Sequence, residues 1–366
     1  MNKLIEAEKI KRENPRLAAR FYLEVSEIYL QLSKKIPARE SEFVNEAAAL
    51  YMKAQSMKNS AYLEKNSEEL SKQIINSMIV SPPDRSFKDI GGLEDVKEEI
   101  KLKIIEPLKN FEIFNHYKKK AGGGILMYGP PGCGKSLIAE ATAGEAGLVF
   151  FNVKVSELMN YYVGETEKNI AELFKKAREN QPCIIFFDEF EALGTDRTGA
   201  NAFHSGLVSQ LLSEMDGVGN KDDTQILLLA ATNTPWLIDN ALLREGRFGS
   251  TIFIPPPDRK GRIEILKKHL EKKPVDSIDL GLLADMTNGF SGADLKRICE
   301  EATNNAIKEC LRTKKRRNIE LRDFVLPESK MKPSILPWFR QAISFIIENN
   351  LQKEFEPIFD YLEKKK

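Results

Sequence analysis

Residues 129–136 read Gly-Pro-Pro-Gly-Cys-Gly-Lys-Ser, and this stretch decides the fold. It follows an apolar run at 125–128 and precedes a helix-forming run at 137–140. The spacing G-x-x-x-x-G-K-S is that of a phosphate-binding P-loop between a strand and a helix. Its glycines let backbone N–H groups approach phosphate oxygens, and the positive end of the helix dipole faces the same anion. We therefore predict a nucleotide site, with Lys135 on the β- and γ-phosphates and the Ser136 hydroxyl on Mg²⁺.

Strand-like and helical segments alternate along the chain around this loop. Apolar runs that predict strands lie at 125–128, 149–153, 183–187, 226–231 and 251–254, with helical patterns between them. Such alternation predicts an α/β P-loop NTPase domain in which a parallel sheet lies between helices. In sheets of this kind the ligand binds at the carboxyl ends of the strands.

The remaining segments have apolar residues at helical spacing. We expect an N-terminal helical bundle at 1–58, followed by a linker at 59–84 that ends in the breaker Ser81-Pro82-Pro83-Asp84. The α/β domain then covers 85–256. After Pro255-Pro256-Pro257, helical patterns at 261–270, 280–286, 292–311 and 336–349 predict a helical lid domain with a C-terminal helix, at 257–366.

Composition excludes several classes of protein. Charged residues make up 30% of the 366 residues and the formal net charge is +1, so no overall field points to nucleic acid or an anionic membrane. The four cysteines form no C-x-x-C pair and the three histidines are scattered, which argues against disulfides and Cys/His metal sites. No apolar run approaches the ~20 residues that span a bilayer, and the N-terminus does not resemble a signal peptide. We expect a cytoplasmic protein.

Polar residues that follow two of the predicted strands supply candidate catalytic groups. Asp188 and Glu189 end the apolar run 184–187, and Asn233 follows the run 226–231. Downstream of a P-loop, Asp188 is predicted to hold Mg²⁺, usually through water, and Glu189 to polarise the water that attacks the γ-phosphate. Asn233 would help to orient that water. Taken alone, the acids could be surface residues after a strand, and Asn commonly caps strand ends.

Two arginines stand close together after the last of these residues, in the run Leu243-Arg244-Glu245-Gly246-Arg247-Phe248. They could be ordinary surface residues. They could also be fingers that neutralise charge on a γ-phosphate held by a neighbouring subunit, as in other phosphoryl-transfer enzymes. The second interpretation requires a ring assembly.

These blocks together resemble the AAA ATPases over roughly residues 86–345. The segment 87–92 (Phe-Lys-Asp-Ile-Gly-Gly) matches the opening of that family's domain, 211–217 (Leu-Leu-Ser-Glu-Met-Asp-Gly) matches the helix before the sensor strand, and 289–295 (Gly-Phe-Ser-Gly-Ala-Asp-Leu) matches the start of the lid helix. The resemblance implies ATP and Mg²⁺ as cofactors, with ATP between the two domains and adenine near Ile90 and Gly91. The predicted cofactor-binding residues are Asp89, Ile90, Gly91, Gly129, Pro130, Pro131, Gly132, Cys133, Gly134, Lys135, Ser136, Leu137, Gly292 and Ala293.

Two further features resemble one branch of that family, the meiotic clade of katanin, spastin, fidgetin and the ATPase that dismantles ESCRT-III. The segment 231–236 (Ala-Thr-Asn-Thr-Pro-Trp) carries the Pro-Trp pair typical of the clade. The segment 161–169 (Tyr-Tyr-Val-Gly-Glu-Thr-Glu-Lys-Asn) resembles its first pore loop, where an aromatic–apolar pair grips the substrate chain. Tyr162 and Val163 would take those positions, and a buried strand-to-helix turn is the alternative.

The N-terminal helices resemble an MIT domain, the three-helix bundle that binds short helical tails of ESCRT-III proteins. Its helices would lie near 3–12, 21–32 and 46–54, the first of them short for the family. A tetratricopeptide-like pair of helices is the structural alternative.

The chain also departs from the family's pattern. Gly249-Ser250 stands where an Asp and a basic residue are usual, which bears on ring stability, and Glu191 stands where an Asp is frequent. The short stretch 312–330 leaves no room for the β-domain insertion of the eukaryotic ESCRT-III ATPase, so the layout looks closer to its archaeal cell-division relative. The stretch 332–339 resembles the clade's last helix, which packs back on the large domain.

The resemblance implies an ATP-hydrolysing homo-oligomeric ring, a hexamer on ATP binding, that threads or extracts subunits from a polymer. ESCRT-III-like filaments would be the substrate, with their tails on the N-terminal bundle, no nucleic acid as partner, and membrane contact only indirect. The alternatives are a proteasome-type or membrane-extraction unfoldase and a microtubule-severing ATPase, although the chain lacks a long basic linker for tubulin tails. A non-enzymatic alternative is an ATP-gated assembly scaffold, against which Glu189 argues.

Overall fold

The computed structural model describes residues 6–9, 15–36, 43–54, 75, 78–117, 123–159, 166–193, 202–219, 225–324 and 333–363. The chain divides into two compact units, Met1–Asn76 and Ser77–Lys366. No helix in these described ranges is long and apolar enough to cross a membrane.

The first unit consists of helices around a small core. Helix α1 is Pro15–Lys35, and residues 6–9 and 43–54 are also helical. The Ser26 hydroxyl donates to the carbonyl oxygen of Ala47 at 2.9 Å and so joins two of the helices. Apolar residues of these helices form one buried cluster, which contains Ala7, Ala18, Ala19, Tyr22, Val25, Leu50 and Ala54. The MIT assignment itself stays a prediction.

The second unit is an α/β domain followed by helices. Its strands are β1 (Ile79–Val80), β2 (Gly123–Tyr128), β3 (Val149–Lys154), β4 (Cys183–Asp188), β5 (Ile226–Thr232) and β6 (Ser250–Phe253). Its α-helices are α2 (Glu94–Ile100), α3 (Glu106–Lys109), α4 (Phe111–His116), α5 (Lys135–Ala146), α6 (Val155–Met159), α7 (Thr166–Glu179), α8 (Ala202–Gly219), α9 (Arg259–Leu270), α10 (Leu280–Met286), α11 (Gly292–Thr313), α12 (Leu336–Glu348) and α13 (Glu356–Glu363). A π-helical turn, Lys101–Ile105, follows α2, and short 3-10 helices lie at Phe87–Asp89, Phe190–Leu193, Pro235–Leu237 and Leu321–Asp323.

The sheet has the strand order β1-β3-β4-β5-β2-β6, and all five strands from β2 to β6 are parallel. The predicted parallel sheet is therefore confirmed. Strand β5 lies between β4 and β2, and its last residue, Thr232, pairs with Tyr128 at the end of β2. Because parallel strands end at the same edge, Asp188 at the end of β4, Asn233 after β5 and the P-loop after β2 meet there.

The sequence-based boundaries need correction in two places. Ile79 and Val80 pair antiparallel with Phe151 and Phe150, so the end of the predicted linker at 59–84 is an edge strand of the sheet. Their backbone partners on β3, Phe150 and Phe151, are buried, and a local sequence pattern does not reveal this pairing.

The second correction concerns the C-terminal helices, which we predicted within the lid segment 257–366. Trp338, Phe339 and Ile346 of α12, with Ile358 of α13, belong to the core of the α/β domain. The lid has a separate core between Leu266 and Phe324. Helix α12 thus packs back on the large domain, as the resemblance implied, and α13 was not predicted.

Candidate nucleotide site

The P-loop joins β2 to α5 in backbone conformations that glycine permits. Gly129, Gly132 and Gly134 have φ angles of 151°, 75° and 95°. A Cβ atom on Gly129 would lie 2.4 Å from the carbonyl oxygen of Ile254, so a side chain does not fit there. Helix α5 begins at the next residue after Gly134, with its N-terminal N–H groups toward the loop. The backbone therefore has the shape and polarity that suit a phosphate group.

Lys135 is a buried cation at the centre of this loop. Its Nζ donates to the carbonyl oxygens of Gly129 and Pro130, both at 2.9 Å, and to Oδ1 of Asn233 at 2.8 Å. Burial lowers the pKa of Lys135 to about 8, because desolvation disfavours the ammonium form. A phosphate group would supply the negative charge that this cation needs.

The end of β4 supplies oxygen ligands next to the P-loop. The Ser136 hydroxyl donates to Oδ2 of Asp188 at 2.8 Å, so the predicted metal ligands lie together. Mg²⁺ prefers oxygen ligands and keeps several of its waters, and this pair of residues fits such a site.

Glu189 lies on the exposed side of the same strand end. Its φ angle is 54°, an uncommon value for a residue with a Cβ atom, and its N–H donates to Oδ1 of Asp188 at 2.9 Å. Its Oε2 accepts from the Ser156 hydroxyl at 2.9 Å. Backbone strain of this kind persists where the surroundings over-determine a conformation, as at functional sites. The carboxylate is therefore held at the rim of the site by a specific backbone turn.

Asn233 uses its backbone and its side chain to contact three neighbouring residues. Its Oδ1 accepts from Lys135, and its Nδ2 donates to Oε1 of Glu191 at 3.0 Å. The N–H of Asn233 points at both carboxylate oxygens of Glu191, each at 3.3 Å. Its carbonyl oxygen accepts from Nε1 of Trp338 at 2.5 Å. The residue after β5 is thus tied to the P-loop, to the segment after β4 and to α12.

The lid helix lies directly on the P-loop. The Ala293 N–H, near the start of α11, donates to the carbonyl oxygen of Gly132 at 3.1 Å. A Cβ atom on Gly132 would lie 2.8 Å from the Cβ of Ala293, and one on Gly292 would lie 3.2 Å from the Gly132 carbonyl oxygen. Two of the predicted cofactor-binding residues of the lid are therefore placed at the phosphate loop.

The opening segment of the domain packs against the other side of the lid. A Cβ atom on Gly91 would lie 3.0 Å from the Cβ of Glu264 on α9, and Ile90 is buried. The Asp89 carboxylate accepts from the backbone N–H of Ser86, which lowers its pKa, and pairs with Lys268 of α9 at 3.2 Å. Ile90 and Gly91 thus lie between the two domains, where the resemblance places adenine.

The two predicted fingers differ in their surroundings. Arg244 is exposed. Arg247 donates from Nε and Nη2 to the two carboxylate oxygens of Asp216, both at 2.9 Å, and from Nη1 to the carbonyl oxygen of Ala241 at 2.8 Å. Arg247 therefore has a structural role within its own chain, whatever it does for a neighbour.

Among the other predicted site residues, the structure describes some and not others. Cys133, in the phosphate loop, is buried, and Leu137, in the first turn of α5, is exposed. Tyr162 and Val163 lie outside the described residues, so the pore-loop assignment stays a prediction.

Sequence reasoning missed the roles of two residues near the site, and of a third that contacts the first residue of β6. Glu191 was noted only as a departure, yet it holds Asn233, and Trp338 was noted only as part of a helix. Lys103 donates to the Ser250 hydroxyl at 2.8 Å, so the unusual Ser250 has a partner within the chain. For Glu191 the local signal was an acidic residue two positions after Glu189. The contacts of Trp338 and Lys103 join segments that are distant in the sequence, so no local pattern predicts them.

Comparisons with known proteins agree with this geometry. Residues 125–256 match the ATPase family associated with various cellular activities (AAA), and residues 277–321 match the AAA+ lid domain. Residues 125–256 and 277–321 thus correspond to the two parts of an AAA ATPase module. The predicted fold class, the ATPase activity of the module and its cofactors, ATP and Mg²⁺, are thereby confirmed.

A curated relative covers much of the AAA module. The chain is 45% identical over 241 residues, 65% of its length, to a cell division cycle protein 48 homolog from Archaeoglobus fulgidus. The aligned region spans 33% of that relative's length.

The chemistry of the AAA module follows from these positions. Mg²⁺, when bound, neutralises phosphate charge, and Ser136 and Asp188 would hold it. The P-loop amides and Lys135 would bind the phosphates. Glu189 would accept a proton from the attacking water, and Asn233 would orient that water through its amide group.

Proposed function

We propose that this chain is an ATP-driven protein-remodelling ring that threads or extracts subunits from a protein polymer. The contact between the Ala293 N–H and the Gly132 carbonyl carries the proposal. Because the lid rests on the loop that binds phosphate, a change of nucleotide changes the surface against which the lid packs. Hydrolysis at Glu189 can then move the lid against the α/β domain, and Tyr162 and Val163 transmit the movement to a threaded chain.

We further propose that the first unit recruits the substrate. Ile28 and Met52 expose 49% and 66% of their surface, so the helices present apolar side chains to solvent. Amphipathic tails bind between helices through anchors at helical spacing. The resemblance to an MIT domain and to the meiotic clade favours ESCRT-III-like tails as the occupant.

A second candidate is an unfoldase whose substrates are not ESCRT-III-like. The 45% identity to a cell division cycle protein 48 homolog favours it, because that similarity concerns the module that would do the threading. The two candidates share the chemistry and differ in what the first unit binds. An ATP-gated scaffold without turnover is the non-enzymatic alternative, and measurement of ATP turnover by the whole chain excludes or supports it.

Deletion of residues 1–58 separates recruitment from hydrolysis. We expect basal ATPase to persist, because the nucleotide site lies in the second unit, and stimulation by an ESCRT-III-like filament to disappear. The comparison substrate is a folded fluorescent protein with an unstructured tail. Stimulation by this substrate alone would favour the unfoldase candidate.

The variant Tyr162→Ala tests threading itself. We expect filaments to bind but not to be dismantled, because the grip on the chain is lost. Tyr117→Ala, which removes a 76% exposed tyrosine elsewhere, is the matched control and should dismantle filaments normally. Normal disassembly by Tyr162→Ala contradicts the threading mechanism.

A further inference from the structure

Trp338 makes a direct contact with the residue that is to orient water. Its indole Nε1 donates to the carbonyl oxygen of Asn233 at 2.5 Å, across 105 positions of sequence. Trp338 is 6% exposed, so this bond lies in a largely dry environment where a lost partner is costly. The bond joins the first turn of α12 to the end of β5.

The bond completes a set of constraints on Asn233. Glu191 holds the backbone N–H and the side-chain amide N–H, and Lys135 holds Oδ1. The carbonyl oxygen is the remaining polar group, and Trp338 holds it. A residue that follows a strand can rotate about its backbone bonds, and rotation here would swing the amide group away from Lys135.

The position of Trp338 is itself fixed from two sides. Its ring lies 5.8 Å from that of Trp236, and Trp236 stacks on Phe345 of the same helix at 5.9 Å. The start of α12 is anchored by Ser334, whose hydroxyl donates to Oδ2 of Asp294 at 2.8 Å. Asp294 belongs to α11, so α12 is attached to the lid helix as well as to the sheet.

We propose that Trp338 is a positioning residue for ATP hydrolysis, which holds Asn233 in place through its backbone carbonyl and so links α12 to the catalytic site. The inference rests on the proposed role of Asn233. Trp338 does not contact the phosphates; it fixes the orientation of the Asn233 side-chain amide, which orients the attacking water. The expected signature is a lower kcat with unchanged affinity for ATP, because the P-loop and Lys135 remain intact.

The chain offers a matched pair for the test, since Trp236 and Trp338 are its two tryptophans and share one aromatic cluster. Trp338→Phe removes the N–H and keeps an aromatic ring, and Trp236→Phe makes the same chemical change beside it. We expect Trp338→Phe to lower kcat about tenfold, as loss of an orienting partner often does, with Kd for ATP, thermal stability and assembly state unchanged. Trp236→Phe should retain the kcat of the natural chain.

A second substitution removes the N–H without altering the size of the ring. In the Trp236→Phe chain, benzothienylalanine incorporated in place of tryptophan replaces only the Trp338 N–H, by sulfur. It should lower kcat as Trp338→Phe does. A normal kcat in this protein, or an equal loss of kcat, stability and assembly in both Trp→Phe variants, overturns the inference.

The variant Asn233→Ala separates the role of Asn233 from the role of Trp338. Normal turnover by Asn233→Ala contradicts the role of Asn233 itself. Slow turnover by Asn233→Ala together with normal turnover by Trp338→Phe contradicts only the role of Trp338.

Discussion

Lys135 is the residue of the nucleotide site whose pKa the surroundings change in a way that binding measurements can detect. The ammonium group is buried among carbonyl oxygens of its own loop, and burial lowers its pKa to about 8. The carboxylates of Asp188 and Glu191 and the thiol of Cys133 act in the opposite direction, but burial dominates. An ordinary lysine is protonated throughout the physiological pH range. With its lowered pKa, Lys135 instead loses its proton within the pH range in which nucleotide binding is measured.

We predict that affinity for ATP falls as the pH rises through about 8. Below this pH the free protein already carries the ammonium that phosphates need, and above it binding must first recruit a proton. For a pKa of about 8, the association constant should fall about tenfold between pH 7 and pH 9. The Glu189→Gln chain, which should bind ATP but barely hydrolyse it, allows the measurement by titration with a fluorescent ATP analogue.

Lys135→Ala is the control for this titration. It should bind ATP far more weakly, and its residual affinity should not depend on pH over this range. An association constant for the Glu189→Gln chain that stays constant from pH 7 to pH 9 contradicts the prediction.

At the scale of elements, the turn between β5 and β6 is attached to α8 by one arginine. Arg247 binds Asp216 of α8 with two hydrogen bonds and closes the turn through the Ala241 carbonyl. The guanidinium also lowers the pKa of the Asp216 carboxyl. Arg244, three residues earlier, is exposed. The two predicted fingers therefore should differ in their effect on stability.

We predict that Arg247→Ala lowers Tm by about 2–4 °C, because a partly exposed bidentate pair contributes about 1 kcal/mol. Arg244→Ala should leave Tm unchanged, because surface substitutions usually have small effects. Calorimetry of the full chain measures both. Asp216→Ala should lower Tm less than Arg247→Ala, because the bond from Arg247 to the Ala241 carbonyl remains. The double variant should cost no more than Arg247→Ala alone; additive losses would show that the pair does not interact.

At the scale of the whole molecule, substitution of the exposed Arg244 tests whether subunits form a ring, without disturbing the fold of each subunit. In a head-to-tail ring, each nucleotide site would be completed by the next subunit. A subunit with Arg244→Ala keeps its own Glu189, and a subunit with Glu189→Gln keeps its own arginines. A mixed interface of the right order then has all the parts that each parent ring lacks.

We predict that an equal mixture of the Arg244→Ala and Glu189→Gln chains hydrolyses ATP at about a quarter of the natural rate, since about one interface in four is complete. Each parent alone should be nearly inactive. Co-purification through a tag on one chain verifies that mixed rings form. Mixed rings with no more activity than the parents would show that Arg244 does not act in trans.

The sequence by itself determined the parts of this protein that local patterns encode. The P-loop has its phosphate-binding shape because the glycines at 129, 132 and 134 permit backbone angles that other residues resist. The parallel strands were predictable because each is a short apolar run between helical patterns. Asp188, Glu189 and Asn233 were predictable for the same reason, since the end of a strand fixes the edge of the sheet at which its next residue lies.

Only the tertiary structure decided contacts between segments that are distant in the chain. The edge strand β1 is a strand because Phe150 and Phe151 offer it a partner, and two residues carry no periodicity of their own. Helix α12 belongs to the α/β core because its aromatic face meets Trp236. The bond from Trp338 to Asn233 spans 105 positions, and the bidentate pair of Arg247 depends on where α8 comes to lie. Such contacts depend on packing geometry, which a linear pattern of residue types does not specify.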